Sequence, residues 1–80
     1  MALYFFDLRS GEEFSADETG MELLDAATAH DTALAALVEI VQEAIVEGSI
    51  GQRFKVEVRN GIGPVLEITA VFDSTIFRKQ

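Results

Sequence analysis

The sequence predicts an α+β fold in which a β-hairpin, one long helix and a second β-hairpin follow one another (ββαββ). Two patterns predict this order: apolar residues recur at helical spacing through residues 26–47, and apolar and charged residues alternate through 52–59. The chain has 80 residues, 49% hydrophobic, and no cysteine, so one core must hold it together without disulfides or thiolate metal sites. We therefore expect residues 1–80 to form a single domain, with the helix packed on one face of an antiparallel-rich sheet.

The first hairpin is predicted from an aromatic-rich opening. Residues 3–9 form its first strand and 13–16 a shorter second strand, with turn residues at 10–11. A two-residue turn places Phe14 on the same sheet face as Phe5, whereas a loop with an odd number of residues places it on the opposite face. The sequence leaves both arrangements open.

The helix is predicted over residues 26–47, after an acidic surface loop at 17–22. Asp25 can accept hydrogen bonds from the first free backbone amides as an N-cap, and Gly48 can adopt the left-handed conformation that ends a helix. The face expected to pack on the sheet consists of Ala26, His30, Ala33, Leu34, Leu37, Ile40, Val41, Ala44 and Ile45.

The second hairpin is predicted from strands at residues 52–59 and 65–72. A two-residue turn between them would place the apolar side chains of the second strand on the charged face of the first. We therefore predict a bulged or five-residue loop with Pro64 at its edge, where the missing amide hydrogen costs no ladder bond. This loop aligns Phe54, Val56 and Val58 with Leu66, Ile68, Ala70 and Phe72.

The charge of the chain is strongly negative, at −8, and unevenly distributed. Residues 1–50 contain eleven acidic residues and one basic residue, whereas 51–80 contain five basic and three acidic residues. Phosphate backbones and anionic membrane surfaces repel such a domain, so we expect neither nucleic acid nor membrane as a partner. Because the chain lacks a basic start followed by a long apolar run, and no stretch approaches ~18 apolar residues, we expect a cytoplasmic protein.

Catalytic and metal-binding patterns are weak in this sequence. His30 is the only histidine; its helical neighbours offer no orienting carboxylate, and we expect the adjacent Asp31 to point elsewhere. The acidic segment 17–25 lacks the ligand spacing of an EF-hand loop. We expect the protein to have no enzymatic activity and to bind no metal and no cofactor. The alternative is a small-molecule-binding or enzymatic role at a helix/sheet cleft near His30 and the acidic loop.

One helix cannot cover both faces of the sheet, so an apolar patch is expected on the other face. Its predicted members are Leu3, Phe5, Phe14, Val65 and Val71. Exposed apolar patches usually mark contacts with other molecules. The competing explanation is that the C-terminal tail, residues 74–80, folds back over the patch.

These features favour a non-enzymatic protein-interaction or self-association module. The expected partner is a second copy of the chain, bound through the sheet face or an edge strand, or another protein. A second version of this hypothesis uses the basic side of the second hairpin to contact an acidic partner surface. The residues of this charged contact are Arg53, Lys55 and Arg59.

The order of the sequence segments resembles a known family. YFFDL is followed by SGEEF, ADETGMELLD, an alanine-rich helix and the strand sequence RFKVEVRNG, and this order resembles small bacterial proteins known only as a domain of unknown function. The likeness covers nearly the whole chain and is most specific at Asp7, Gly11, Asp17 and Gly20. The resemblance implies a fold and a bacterial source, but no activity and no site residues.

Overall fold

The chain folds as an antiparallel sheet with a helix packed across one face, which confirms the predicted α+β class and ββαββ order. The structure is a computed structural model that describes residues 1–48 and 51–78; residues 79 and 80 of the predicted tail lie outside the described residues. In chain order the elements are β1 (Ala2–Ser10), β2 (Glu13–Ser15), β3 (Met21–Leu23), α1 (Ala26–Val46), β4 (Arg53–Arg59) and β5 (Pro64–Val71).

The strands are ordered β2-β1-β4-β5, and β3 pairs with the first residues of β1. Every pairing is antiparallel. The first hairpin turns at residues 11–12, one position later than predicted, because Ser10 pairs directly with Glu13. This even-numbered turn places Phe14 opposite Arg9, and therefore on the sheet face of Phe5.

A short third strand replaces part of the predicted acidic loop. Met21–Leu23 pairs with the first residues of β1. The expectation of a loop over residues 17–22 is therefore wrong for residues 21 and 22. The backbone of β1 explains the difference, because on this edge β2 pairs only with residues 8–10 of β1. Backbone groups nearer the start of β1 need another partner, and β3 supplies it.

The helix α1 begins at the predicted residue and ends one residue early. The Asp25 side chain accepts the Thr28 N–H at 2.9 Å, and Gly48 ends the helix with a φ of +82°. Its buried residues are Ala29, Ala33, Leu37 and Ala44. The predicted face is therefore partly wrong: Ala29 replaces its neighbours Ala26 and His30, and Leu34 and Ile45 are exposed. At this end of the helix, Ala29 and Ala33 are fully buried in the core. Among the described residues, no helix has the length and apolar character needed to span a membrane.

The second hairpin has the predicted alignment. Phe54, Val56 and Val58 pair with Ala70, Ile68 and Leu66, and Arg59 pairs with Pro64, so that Val65 forms a bulge. The loop itself has four residues and is closed by a hydrogen bond from Asn60 N–H to the Gly63 carbonyl at 3.0 Å. We call the face covered by α1 the inner face and the opposite one the outer face. The inner face contains the core, with Phe54, Val56 and Val58 almost fully buried.

Candidate interaction surface

The outer face of the sheet carries the predicted apolar patch, but in a different form. The pairings Phe5 with Arg59, Arg9 with Phe14 and Arg53 with Val71 place the aromatic and aliphatic members between charged side chains. Leu3, Phe14 and Val71 are exposed, whereas Phe5 is half-buried. Val65 is also half-buried and packs against the core. The patch is therefore broken into separate apolar residues.

Two arginines cover the aromatic rings of this face. The Arg59 guanidinium carbon lies 4.5 Å from the centre of the Phe5 ring, and the Arg9 carbon lies 4.4 Å from that of Phe14. Cation–π stacking of this kind is favourable and removes ring surface from water. The chain thus partly covers its own outer face with cationic side chains, a possibility that the sequence patterns did not suggest.

A buried carboxylate lies beneath one of these arginines. Asp7 is 6% exposed and accepts hydrogen bonds from Arg59 Nε at 2.9 Å and from the Asp17 backbone N–H at 2.9 Å. Burial by itself would raise the pKa of Asp7, but these two hydrogen bonds and the charge of Arg59 hold the pKa below its ordinary value. Asp7 is therefore ionised in the folded state at neutral pH.

Asp17 organises the segment between β2 and β3. Its carboxylate accepts the backbone N–H groups of Phe6, Thr19 and Gly20 at 3.0 to 3.1 Å, and its carbonyl accepts an Arg59 N–H at 3.0 Å. The Gly20 hydrogen bond contributes most to lowering the pKa of Asp17, against the opposing effect of burial. We call Asp7, Asp17 and Arg59 the polar network. It joins β1, the β2–β3 segment and β4. The hydrogen-bonding groups of these side chains are already paired with other groups of the same chain.

The predicted basic contact is also largely occupied within the chain. Arg59 belongs to the polar network, and Lys55 Nζ lies 3.4 Å from Glu67 Oε2. Arg53 is exposed at the start of β4. A binding surface made of these three cations would have to break two existing ion pairs, so the charged contact with an acidic partner stays a prediction without structural support.

The C-terminal tail does not cover the outer face in its described part. Ile76 and Phe77 are 82% and 96% exposed, so neither residue packs on the sheet. The competing explanation, in which the tail (residues 74–80) folds back over the apolar patch, therefore does not hold for residues 74–78.

A largely apolar surface lies elsewhere, in a groove between α1 and β5. We call it the edge groove; its volume is about 310 Å³, and it is lined mainly by Leu34, Leu37, Val38, Val41, Ile68 and Ala70. Leu34 and Val38 are exposed although they belong to the helix side nearest β5. The sequence pattern contained these residues, but it assigned Leu34 to the buried core face and did not show that the groove would stay open.

The edge groove runs beside a strand with a free edge. Among the described residues β5 has one neighbouring strand, β4, and from residue 65 to 71 its only charged side chain is Glu67. The opposite edge of the sheet is built differently, from two three-residue strands, β2 and β3, joined by the Asp17 segment. Short, interrupted edges resist pairing with other chains, whereas long apolar edges favour it.

The hydrogen bond made by the Phe6 backbone shows which residues of each strand direct their N–H and C=O groups toward which neighbouring strand. Phe6 donates its N–H to Asp17, so this group points away from β4. In an antiparallel pair, two residues directly opposite each other either both point toward the partner strand or both point away. Val58, opposite Phe6, therefore directs its backbone groups to β5, where it pairs with Leu66.

The same alternation identifies the groups at the free edge of β5. Starting from Leu66, every second residue directs its backbone N–H and C=O groups toward β4. The Phe72 carbonyl fits this alternation, because it accepts a hydrogen bond from the Gly51 N–H at 2.8 Å. The backbone N–H and C=O groups that point away from β4 belong to Glu67, Thr69 and Val71. The edge groove thus lies beside a row of backbone donors and acceptors that have no partner strand within residues 1–48 and 51–78.

The histidine considered as a catalytic candidate lies on the exposed side of α1. Its Nδ1 is 3.3 Å from Asp31 Oδ1, so the expectation that Asp31 points elsewhere is wrong. Both side chains are more than half exposed, and Asp17 of the acidic loop is engaged in the polar network. The structure therefore does not bring His30 and Asp17 together at one cleft.

Comparison with known proteins identifies the family. Neither a search of curated proteins nor a search of solved structures gave a match. A family model described as a domain of unknown function, DUF6894, matches residues 3–71, which include every strand and the helix except the first residue of β1. The bacterial source implied by the resemblance stays a prediction. The match covers most of the chain, and the protein therefore belongs to the DUF6894 family.

Proposed function

We propose that the protein is a non-enzymatic interaction module that self-associates as a homodimer through the free edge of β5 and the adjoining edge groove. The observation that carries this proposal is the combination of an eight-residue edge strand with exposed Leu34 and Val38 beside it. A strand added to β5 satisfies the free backbone groups and covers the groove in one step. A protein of this size gains stability from such burial, because a small core supplies little by itself.

The outer face supports self-association less well. Its two exposed or half-buried aromatic rings, Phe5 and Phe14, already stack against Arg59 and Arg9. Docking another chain there would desolvate these cations or displace them from their carboxylate partners, which costs free energy. Of the two surfaces predicted for a homodimer, the sheet face and an edge strand, the structure favours the edge strand.

Size-exclusion chromatography with light scattering at micromolar concentrations tests the proposal. We expect a mass twice that of the 8.7 kDa chain, falling toward the monomer mass on dilution. A mass of one chain at every concentration would contradict it.

A matched pair of variants tests the surface. Val38 is 48% exposed at the edge groove, and Val46 is 88% exposed near the end of the same helix, outside the groove. Val38→Lys should shift the protein to monomers because it places a charge in the contact, while Val46→Lys adds the same charge and should leave the dimer intact. Equal effects of both variants would assign the dimer to another surface.

A further inference from the structure

We propose that two copies pair their β5 strands antiparallel about a two-fold axis at Ile68, so that the two sheets become one continuous sheet and the two edge grooves merge into one apolar contact. This inference rests on the proposed self-association and specifies its partner, register and charge pairing.

Antiparallel pairing follows from the position of the helix. An axis perpendicular to the sheet makes the β5 strands antiparallel and keeps both copies of α1 on the same side, where the two grooves face each other. An axis along the strands would make them parallel and place the helices on opposite sides. Only the first arrangement covers Leu34 and Val38 of both copies with apolar surface.

The spacing of the helices suits this arrangement. Because α1 packs on both β4 and β5, its axis lies above the space between these strands, roughly one strand spacing of ~5 Å from the midline of the new strand pair. The two helix axes then lie about 10 Å apart, close to the distance at which packed helices interdigitate their side chains. Leu34 and Val38 lie on the sides of the two helices that face each other in this arrangement.

The register follows from hydrogen-bond direction and side-chain face. Glu67, Thr69 and Val71 carry the free backbone groups, and these odd-numbered residues must pair with odd-numbered residues of the partner. The two-fold axis must therefore lie level with the same residue of both strands, and not level with the peptide bond between two consecutive residues. An axis at Ile68 aligns residues 65–71 of one strand with residues 71–65 of the other, which uses nearly the whole of β5.

Charge disfavours two of the neighbouring registers. An axis at Glu67 places two glutamates opposite each other, and an axis at Ala70 places Glu67 opposite the partner's Asp73; both are unfavourable. With the axis at Ile68, Glu67 lies opposite the partner's Thr69. Glu67 contacts its own Lys55 at 3.4 Å, and because Thr69 pairs with Lys55 inside its own sheet, the next charged residue across the partner's strand is the partner's Lys55.

The chain contains no cysteine, so single cysteines report the register by disulfide formation. Glu67 and Thr69 are exposed, and substituting either leaves the core unchanged. Antiparallel hydrogen-bonded pairs have Cα atoms about 5.5 Å apart, within disulfide range, whereas residues displaced by two positions are beyond it. We would compare Glu67→Cys alone, Thr69→Cys alone and an equal mixture of the two under mild oxidation.

The proposed register gives crosslinked dimers in the mixture, as mixed Glu67→Cys/Thr69→Cys species, at least tenfold faster than in either variant alone. Val46→Cys measures the rate of random collision. Rapid crosslinking of Thr69→Cys alone would move the axis to Thr69 and overturn the register. If light scattering shows a dimer but the mixture crosslinks no faster than Val46→Cys, pairing through β5 is wrong, while the proposed self-association stands. If light scattering shows a monomer, both the proposed self-association and the β5 pairing are wrong.

Discussion

Arg59 and Asp7 are 52 positions apart in the chain, yet Arg59 Nε donates to Asp7 Oδ2 at 2.9 Å. The sheet register explains the contact: Arg59 pairs with Phe5, and Asp7 is two residues further along the same face, at the diagonal position. The same guanidinium donates to the Asp17 carbonyl and stacks on Phe5. One side chain therefore links β4 to β1 and to the segment that precedes β3.

Removing the arginine should destabilise the fold. Arg59→Met keeps a long apolar side chain over Phe5 but leaves the buried Asp7 carboxylate without its cation. Because the Arg59 side chain is 42% exposed, we expect a loss somewhat smaller than that for a fully buried pair, about 2–3 kcal/mol in the free energy of unfolding measured with urea.

The matched control is Arg9→Met. Arg9 also stacks on a phenylalanine and forms a diagonal ion pair, with Glu57 at 3.1 Å, but the Glu57 side chain is 31% exposed, so water can solvate it when the cation is removed. The loss should be at most about 1 kcal/mol. Similar losses for Arg9→Met and Arg59→Met would mean that the polar network has no special role.

Gly20 should tolerate no side chain. Its φ is +77°, and a Cβ atom there would lie 2.9 Å from Phe5 Cε1, on the ring that Arg59 covers. Gly20→Ala should cost about 2–3 kcal/mol, combining left-handed strain with the clash. Gly48→Ala is the control, since φ is +82° with no atom near, and should cost about 1 kcal/mol. Equal losses would show that the ring contact is unimportant.

Acid should weaken the fold through the two carboxylates of the polar network. The pKa values of Asp7 and Asp17 are held below the ordinary value of 3.8, so near that pH the unfolded chain binds more protons than the folded one. Stability is therefore complete above the unfolded pKa and declines as pH falls through the lower folded values.

The measurement is urea unfolding from neutral pH down to about pH 3. Asp7→Asn should be less stable than the wild type at neutral pH, and its free energy of unfolding should change less below about pH 4, because one of the shifted groups is gone. A wild-type stability that stays constant through this range would contradict the ionised network.

The N-cap of α1 makes a separate contribution. Asp25 Oδ1 accepts from the Thr28 N–H at 2.9 Å and from the Thr28 hydroxyl at 2.8 Å. Asp25→Ala should cost about 1 kcal/mol in thermal or urea unfolding, and Asp25→Ser should restore most of it because serine is also a good N-cap. If Asp25→Ala is neutral, the hydrogen bonds seen at the helix start do not stabilise it.

Local patterns predicted much of this fold. Helical periodicity and the residues Asp25 and Gly48 located α1, and the alternation in β4 required the odd register shift that the bulge at Val65 provides. These features depend on residues close together in the sequence. Met21–Leu23 was not predicted as a strand, because three residues show no period and their pairing depends on where β2 stops contacting β1.

The site was less predictable for the same reason. Nothing near Asp7 in the sequence indicates Arg59, and the stacking of Arg59 on Phe5 follows only from the register between distant strands. A signal was nevertheless present: Asp7, Asp17 and Gly20 are among the residues that carry the family resemblance. The first two belong to the polar network, and Gly20 donates its backbone N–H to Asp17. Strand order, which the sequence patterns left open, determined that β5 has a free edge.

Amide hydrogen exchange at the free edge tests the central claim most directly. The N–H groups of Glu67 and Thr69 point away from β4, whereas those of Leu66 and Ile68 point toward it. With the protein concentration raised from well below to well above the association midpoint, exchange at Glu67 and Thr69 should slow markedly, while Leu66 and Ile68 stay protected throughout. Equally fast exchange of Glu67 and Thr69 at both concentrations would show that no second chain pairs with β5.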